Sequence, residues 1–382
     1  MLIRNPFFQG VPFVAYKERI TAMAGMLDYV RKCGGSSFDE LPFNEIDNLI
    51  FATIGYMYFE DLLDESFDNY KTIEDLASVL EEKADIVEML KETVFMKETI
   101  LLFHIMAGCR RYKDIRIEGY VAEIDFDAEK QFAAMTFICE GFLYVCFRGT
   151  DNILISWKED FNIGYMNPIP AQVDALHYLE DVAGRFKGKI YVGGHSKGGN
   201  LAVYAALNCS EAVRSRIATV FNNDGPGFAT DCIWKENGDF VKRHVRTFVP
   251  QTSIVGVLME TGGPTFVVKS NGIGILQHNP FTWQTIEDGF VLLAKRSKVS
   301  YDFEEAFLAW FRNLNSEEKK TFIDTLYNVL ISTGATTINQ LTLPTLVESL
   351  RNYNDFDDEK KEEFINILAP LLEPIFDLRK FQ

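Results

Sequence analysis

At 382 residues the chain has room for one large domain or about two or three smaller ones, and its 47% hydrophobic content, with 32 Phe and 15 Tyr, supplies a sizeable core. A formal charge of −17 argues against a nucleic-acid binder, since phosphate contacts need clustered Lys and Arg and no basic block occurs. The same charge opposes adsorption to anionic membrane surfaces.

The N-terminal stretch has no long apolar run and no cleavage site, and the longest apolar stretch, around Leu49 to Phe59, is too short to span a bilayer. The chain reads as cytoplasmic, with no integral membrane segment. Residues 39–110 read as helices. Capping residues at Asp39 to Ile46 lead into a helix over Asp47 to Glu60, Thr72 to Leu90 carries an apolar helical stripe, and Lys97 to Cys109 reads as a buried helix.

From Arg116 the pattern changes to strands: Arg116 to Ile124, Gln131 to Cys139 and Phe142 to Phe147, with a tight hairpin at Glu140-Gly141. After Gly149 helix and strand alternate. Ala171 to Phe186 is a helix, Lys189 to Gly193 a strand and Gly198 to Asn208 a helix; Ile217 to Asn222, His244 to Pro250 and Thr265 to Val268 are strands, and Gln284 to Lys295 closes the core. This alternation predicts an α/β fold, a largely parallel sheet with helices on its faces. From about Tyr301 the chain is helical again, over Phe303 to Asn313, Ser316 to Ser332, Gln340 to Leu350 and Asp357 to Phe376. The expected organisation is an N-terminal helical region at 1–114 packed on a core at 115–298, with a helical extension at 299–382. The six cysteines (Cys33, Cys109, Cys139, Cys146, Cys209, Cys232) include no C-x-x-C pair and read as reduced, mostly buried thiols; no metal or other cofactor is expected.

The most informative segment is Gly194-His195-Ser196-Lys197-Gly198, which fits G-x-S-x-G between a short apolar strand and a small-residue helix. A nucleophile on so sharp a turn needs glycines two residues either side, because Cβ atoms there would collide across it. A phosphate-binding reading fails, because Lys197 precedes its glycines where G-x-x-x-x-G-K-[ST] requires it to follow them. A serine hydroxyl needs a base, and five histidines are on offer. His195 adjoins Ser196 and points away from it; His104 and His177 come too early for the order Ser, acid, His; and His244 sits in a basic patch. His278, in a loop late in the sheet, is left as base. Asp224 lies at the carboxyl end of the strand after the elbow helix and is the favoured acid, although Asp-Gly-Pro-Gly is also an ordinary turn. Glu260 and Asp288 are the alternative carboxylates, and a Ser–His dyad is the reading without any of them. The N–H of Lys197 and the N–H and hydroxyl of Thr150, at the strand end Phe147-Arg-Gly-Thr150, would hold an oxyanion.

Taken together, Phe147-Arg-Gly-Thr150, Trp157-Lys-Glu-Asp-Phe161 and Gly194-His-Ser-Lys-Gly198 resemble the class 3 (fungal-type) lipase branch of the α/β-hydrolases. Through Phe43-Asn-Glu-Ile-Asp47, Gly194 to Asn200, Asn223-Asp-Gly-Pro-Gly227 and Gln277-His-Asn-Pro-Phe-Thr-Trp283, the chain more closely resembles a lipase-like family of bacterial proteins of unknown function. The resemblance spans most of the chain. It implies an α/β-hydrolase core flanked by the two helical regions, lipase or esterase chemistry on a small-molecule or lipid-like acyl ester, and Thr150 in the oxyanion position. Class 3 lipases carry the triad aspartate near the place of Ser253, so Ser253 breaks that pattern, and either Asp224 takes over or the site is a weakened dyad. A non-catalytic scaffold, its extra helices receiving a protein partner, is the competing expectation.

Overall fold

The computed structural model describes residues 25–82, 95–151, 154–230 and 232–335, together with position 349. Short β-branched and aromatic runs become the strands of one sheet. The first is β1 (Lys71–Thr72), followed by the antiparallel meander β2 (Arg116–Asp125), β3 (Lys130–Cys139) and β4 (Phe142–Phe147). Strands β5 (Lys189–His195), β6 (Ile217–Asn223), β7 (Val245–Pro250) and β8 (Thr265–Val268) continue in parallel from β4. A small hairpin of β9 (Thr285–Ile286) and β10 (Gly289–Phe290) precedes β11 (Leu292–Leu293), which pairs antiparallel with β8. The nine-stranded order is β1-β2-β3-β4-β5-β6-β7-β8-β11.

From β4 to β8 the strands lie side by side in chain order, and this has a packing consequence. Right-handed crossovers between neighbouring parallel strands put their helices on one face of a sheet. Helices α6 (Pro170–Arg185) and α7 (Lys197–Asn208) pack there, over Leu143, Val145, Phe147, Val192 and Val220. The opposite face carries Tyr144, Cys146, Phe137, Phe221 and Phe248 and is left to be covered by other parts of the chain. Four helices before the core cover it: α1 (Met26–Cys33), α2 (Glu45–Ile54), α3 (Ile73–Glu82) and α4 (Met96–Ala107). Phe51 of α2 stacks on Phe137 of β3 with ring centroids 4.5 Å apart, and Phe43 lies 4.7 Å from the Tyr191 ring of β5. With the strand–turn–helix of β5 and α7 at its centre, this is the α/β-hydrolase arrangement.

Several elements differ from their sequence expectations. Helix α2 is capped by Asn44 and stops at Ile54, because the chain turns at Gly55 to meet Arg148, which binds the carbonyls of Gly55 and Met57 at 2.7 Å each. Thr72 belongs to β1, so α3 starts at Ile73. His244 ends a short helical turn before β7. Helix α1 and helix α5 (Leu154–Asn162) were not anticipated. Helix α8 (Lys298–Asn313) begins five residues before the expected Phe303, because Ser297 caps it; α9 (Ser316–Ser332) follows. The helices expected at 340–350 and 357–376 lie outside the described residues, as does the end of the 72–90 helix. All six cysteines are free; Cys139, Cys146 and Cys209 are buried, Cys33 and Cys109 partly so, and Cys232 is exposed. Among the described residues no helix is long and apolar enough to cross a membrane, and no cluster of His, Cys, Asp or Glu could hold a metal ion.

The N-terminal layer is closed by a buried ion pair. Asp47 accepts from Arg111 at 2.9 Å (Nε) and 2.5 Å (Nη2) and from the Tyr112 hydroxyl at 2.7 Å, and neither charged side chain is exposed. Further Arg111 N–H groups bind the Ser37 and Leu41 carbonyls at 3.1 and 2.8 Å, tying down the chain that enters α2. Asp47→Asn leaves the guanidinium buried without its counter-charge, and the expected loss is about 3–5 kcal/mol of stability. Urea unfolding checks this; a shift worth less than about 1 kcal/mol, the scale of an exposed pair, would overturn it.

Candidate active site

Ser196 stands between β5 and α7 with φ 57° and ψ −134°, a sparsely populated conformation for a residue with a side chain. Its N–H donates to the Asn223 carbonyl at 2.9 Å, and its own carbonyl accepts from Gly199 N–H at 2.9 Å. The flanking glycines are forced by close approach: a Cβ on Gly194 would lie 2.3 Å from the Gly198 backbone, and one on Gly198 would lie 2.1 Å from the Phe147 carbonyl. Buried amides hold the turn from below. Asn223 Nδ2 donates to the Gly194 carbonyl and Asn48 Nδ2 to Asn223 Oδ1, both at 2.9 Å, while Asn200 Nδ2 donates to the Gly227 carbonyl at 2.8 Å.

Asp224 directly follows β6, buried and itself at φ 53°. Its Oδ2 lies 2.7 Å from His278 Nδ1, and its Oδ1 accepts from the Ser253 hydroxyl at 2.5 Å. Ser253 in turn accepts from Gly256 N–H at 3.1 Å. Ser253 is therefore the neighbour that satisfies the second oxygen of Asp224. His278 ends a helical turn at Gly274–His278 and stays partly open to solvent. Its neighbours pin the loop: Gln277 Oε1 accepts from Thr252 N–H, and the buried Trp283 indole donates to the Gln277 carbonyl, both at 2.8 Å. Asp224 and His278 are thus brought together. Among the described residues the Ser196 hydroxyl has no hydrogen-bond partner, so the Ser196–His278 pair is open.

The strand end at Thr150 faces the elbow. The Thr150 hydroxyl bonds the Asp160 carboxyl on α5. Lys197, the residue after Ser196, sends its side chain into the interior, where Nζ bonds Gln131 Oε1 at 2.7 Å and the Gln131 carbonyl and Glu159 Oε2 at 2.8 Å. One lysine and two carboxyl groups meet there, with Asp160 Oδ1 3.9 Å from Nζ. Burial drives the Asp160 carboxyl up to about 7, against the pull of Lys197 and the Thr150 hydrogen bond and with a further push from Glu159 and Asp151.

The remaining candidates sit elsewhere. Glu260 pairs with Arg312 at 2.7 Å, and Asp288 is exposed beyond β9. His177 is exposed on α6, His104 lies on α4, and His244 stacks on Phe240 with its Nδ1 3.2 Å from the Ala218 carbonyl. His195 is fully buried; Nδ1 lies 2.9 Å from the Tyr56 hydroxyl and Nε2 lies 2.7 Å from the His278 carbonyl. The sequence reading missed Tyr56, Asp160 and the contact of Ser253 with Asp224. Asp160 had a signal, its place in Trp157-Lys-Glu-Asp-Phe161; Tyr56 had none.

Solved structures of lipases resemble the chain at low identity. A fungal lipase in an inhibitor complex is 14% identical, with 80% of this chain and 97% of that one covered and a TM-score of 0.38. The Rhizomucor miehei lipase in its propeptide complex is 17% identical over 62% of this chain and 80% of that one, with a TM-score of 0.33. M37 lipase is 14% identical over 88% and 97%, with a TM-score of 0.36. No curated protein matches the chain. A family profile described as Mbeg1-like matches residues 106–328. That span is more than half of the 382 residues and includes Thr150, Ser196, Asp224 and His278, and the chain belongs to the Mbeg1-like family.

Proposed function

We propose that the protein is a serine hydrolase that cleaves a carboxylic ester through an acyl-enzyme. The observation that carries this reading is the Asp224–His278 hydrogen bond of 2.7 Å on the side of the sheet where the strained Ser196 turn ends β5. With Nδ1–H donated to Asp224, His278 keeps a lone pair on Nε2 for a proton. Substrate entry draws the open Ser196–His278 pair together, a tightening usual between free and substrate-bound enzymes. Ser196 Oγ attacks the ester carbonyl while His278 takes its proton, and the tetrahedral oxyanion is held by the N–H groups of Lys197 and Thr150. Collapse expels the alcohol, which leaves with the proton from His278; water then repeats the sequence on the acyl-enzyme and frees the acid.

Two further observations support the reading. Asp160 fixes the Thr150 hydroxyl beside the elbow. The loop carrying His278 exposes Ile273 (70%) and Leu276 (48%), which suits a substrate with an apolar acyl part. The open Ser196–His278 pair is what favours the competing reading, a scaffold without activity. A fluorophosphonate probe separates the two, since only an activated serine reacts quickly.

Ser196→Ala should remove both probe labelling and hydrolysis of a short-chain aryl ester, with a loss in kcat of roughly a million-fold. Activity near wild type in that variant would sink the proposal. Asp224→Asn should cost roughly ten-thousand-fold in kcat through the wrong His278 tautomer. Ser253→Ala deletes a hydrogen bond to a charged group, worth about 1.5–3 kcal/mol, and should fall between Asp224→Asn and wild type. Equal activity in wild type and Asp224→Asn would reassign the acid.

Asp160 gives a pH test. Its folded value, raised from 3.8 to about 7, means that between those pH values the native state holds a proton the unfolded state has lost. Stability from this group is therefore full below about pH 4 and is lost as pH rises through about 7. Asp160→Asn should flatten that slope in urea midpoints measured from pH 4.5 to 8. A wild-type-minus-variant difference that rises with pH contradicts the assignment.

A further inference from the structure

We infer that His195 is a positioning residue for the base: a neutral imidazole, protonated on Nε2, that grips the main chain of His278 and is itself oriented by Tyr56. The inference rests on the proposed role of His278 and adds a reason for the histidine beside the nucleophile.

The hydrogen-bond arithmetic has one solution. A carbonyl oxygen only accepts, so at 2.7 Å from the His278 carbonyl His195 Nε2 must carry a proton. Complete burial holds the ring's pKa well below the ordinary value, with the neighbouring His278 adding to the effect, so the ring carries one proton and Nδ1 has a lone pair. The Tyr56 hydroxyl, 2.9 Å away, then donates to Nδ1, its nearer acceptor, with the His195 carbonyl farther off at 3.4 Å. Among the described residues the rings facing it are Tyr56, Phe95 and His278, whose ring lies 4.4 Å away at 37°. Every donor in the chain from Tyr56 through His195 to His278 therefore points toward the base.

Tyr56 is held as firmly as what it holds. It follows α2 between the two carbonyls that Arg148 binds, and Arg148 precedes the Gly149-Thr150 strand end. A Cβ on Gly149 would lie 2.0 Å from the Tyr56 hydroxyl oxygen and 2.5 Å from the His195 carbonyl oxygen. Glycine stands there because the Tyr56 hydroxyl and the elbow fill the space. The brace thus joins the N-terminal layer, the proposed oxyanion strand, the elbow and the base loop.

The test compares His195→Gln, whose amide N–H can replace Nε2–H, with His195→Leu, which has no donor. His195→Leu should lower kcat about hundred-fold, the scale of a base misplaced by about 1 Å, with KM within about twofold. His195→Gln should recover most of the loss, and Tyr56→Phe should fall between. Nitrogen-15 NMR gives a readout independent of turnover. Wild-type His195 should show the Nε2–H tautomer and not titrate from pH 5 to 9. The downfield Nδ1–H proton of His278 bonded to Asp224 should persist in His195→Gln and broaden in His195→Leu. The inference is overturned if folded His195→Leu matches His195→Gln in kcat and in that resonance, or if His195 titrates. An inactive wild type would count against the hydrolase reading alone, because the NMR comparison still decides the brace.

Discussion

The backbone at Ser196 is the constraint on which the rest of the site depends. A non-glycine residue at φ 57° and ψ −134° costs about 1–3 kcal/mol and persists only when its surroundings over-determine it. They do so from several directions. Asn223 takes the Ser196 N–H on its carbonyl and ties down Gly194 with its amide, Gly198 lies against the Phe147 carbonyl, and Asn48 reaches Asn223 from the N-terminal layer. The buried Lys197 anchors the first turn of α7 to β3 and α5 through Gln131 and Glu159. Removing any one of these hydrogen bonds leaves a buried polar group without its partner, so the polar network and the strained turn are maintained together.

The one-sided winding of the parallel strands explains the size of the protein. A sheet whose crossover helices lie on one face exposes a second apolar face, and α1 to α4 exist to cover it. That layer also brings Tyr56 and Asn48 to the elbow, so the elements that complete the core reach the site as well. Helix α8 reaches the turn after β7 that holds Asp224, and α9 reaches α5. Ser300 donates to the Ser253 carbonyl at 2.6 Å, and Asp324 of α9 binds Lys158 of α5 at 2.9 Å.

Much of this was legible in the sequence where one physical cause dominates. Strands β2 to β8 follow from apolar periodicity, and the elbow follows from glycines that no other residue can replace at such distances. Helix α5 escaped because four of its six buried residues are polar: Ser156, Lys158, Glu159 and Asn162 are covered, the last three bonded to charges and backbone of other elements, so no apolar stripe marks it. The end of α2 escaped because it is set by Arg148, far along the chain. The partner of the second oxygen of Asp224 could not be read from Ser253, since it depends on how the chain turns after β7. The contact of Tyr56 with His195 joins residues 139 positions apart and leaves no local pattern.

The Tyr56 brace has a consequence for what counts as a unit of this protein. The span shared with the Mbeg1-like family starts at residue 106, whereas Tyr56, Asn48 and the ring of Phe51 all precede it. Excised at that boundary, the sheet would present a bare aromatic face to water, His195 would lose its only side-chain donor among the described residues, and Asn223 would lose its amide partner. The boundary drawn by sequence similarity therefore cuts through the contacts by which the N-terminal layer covers the sheet and reaches the elbow.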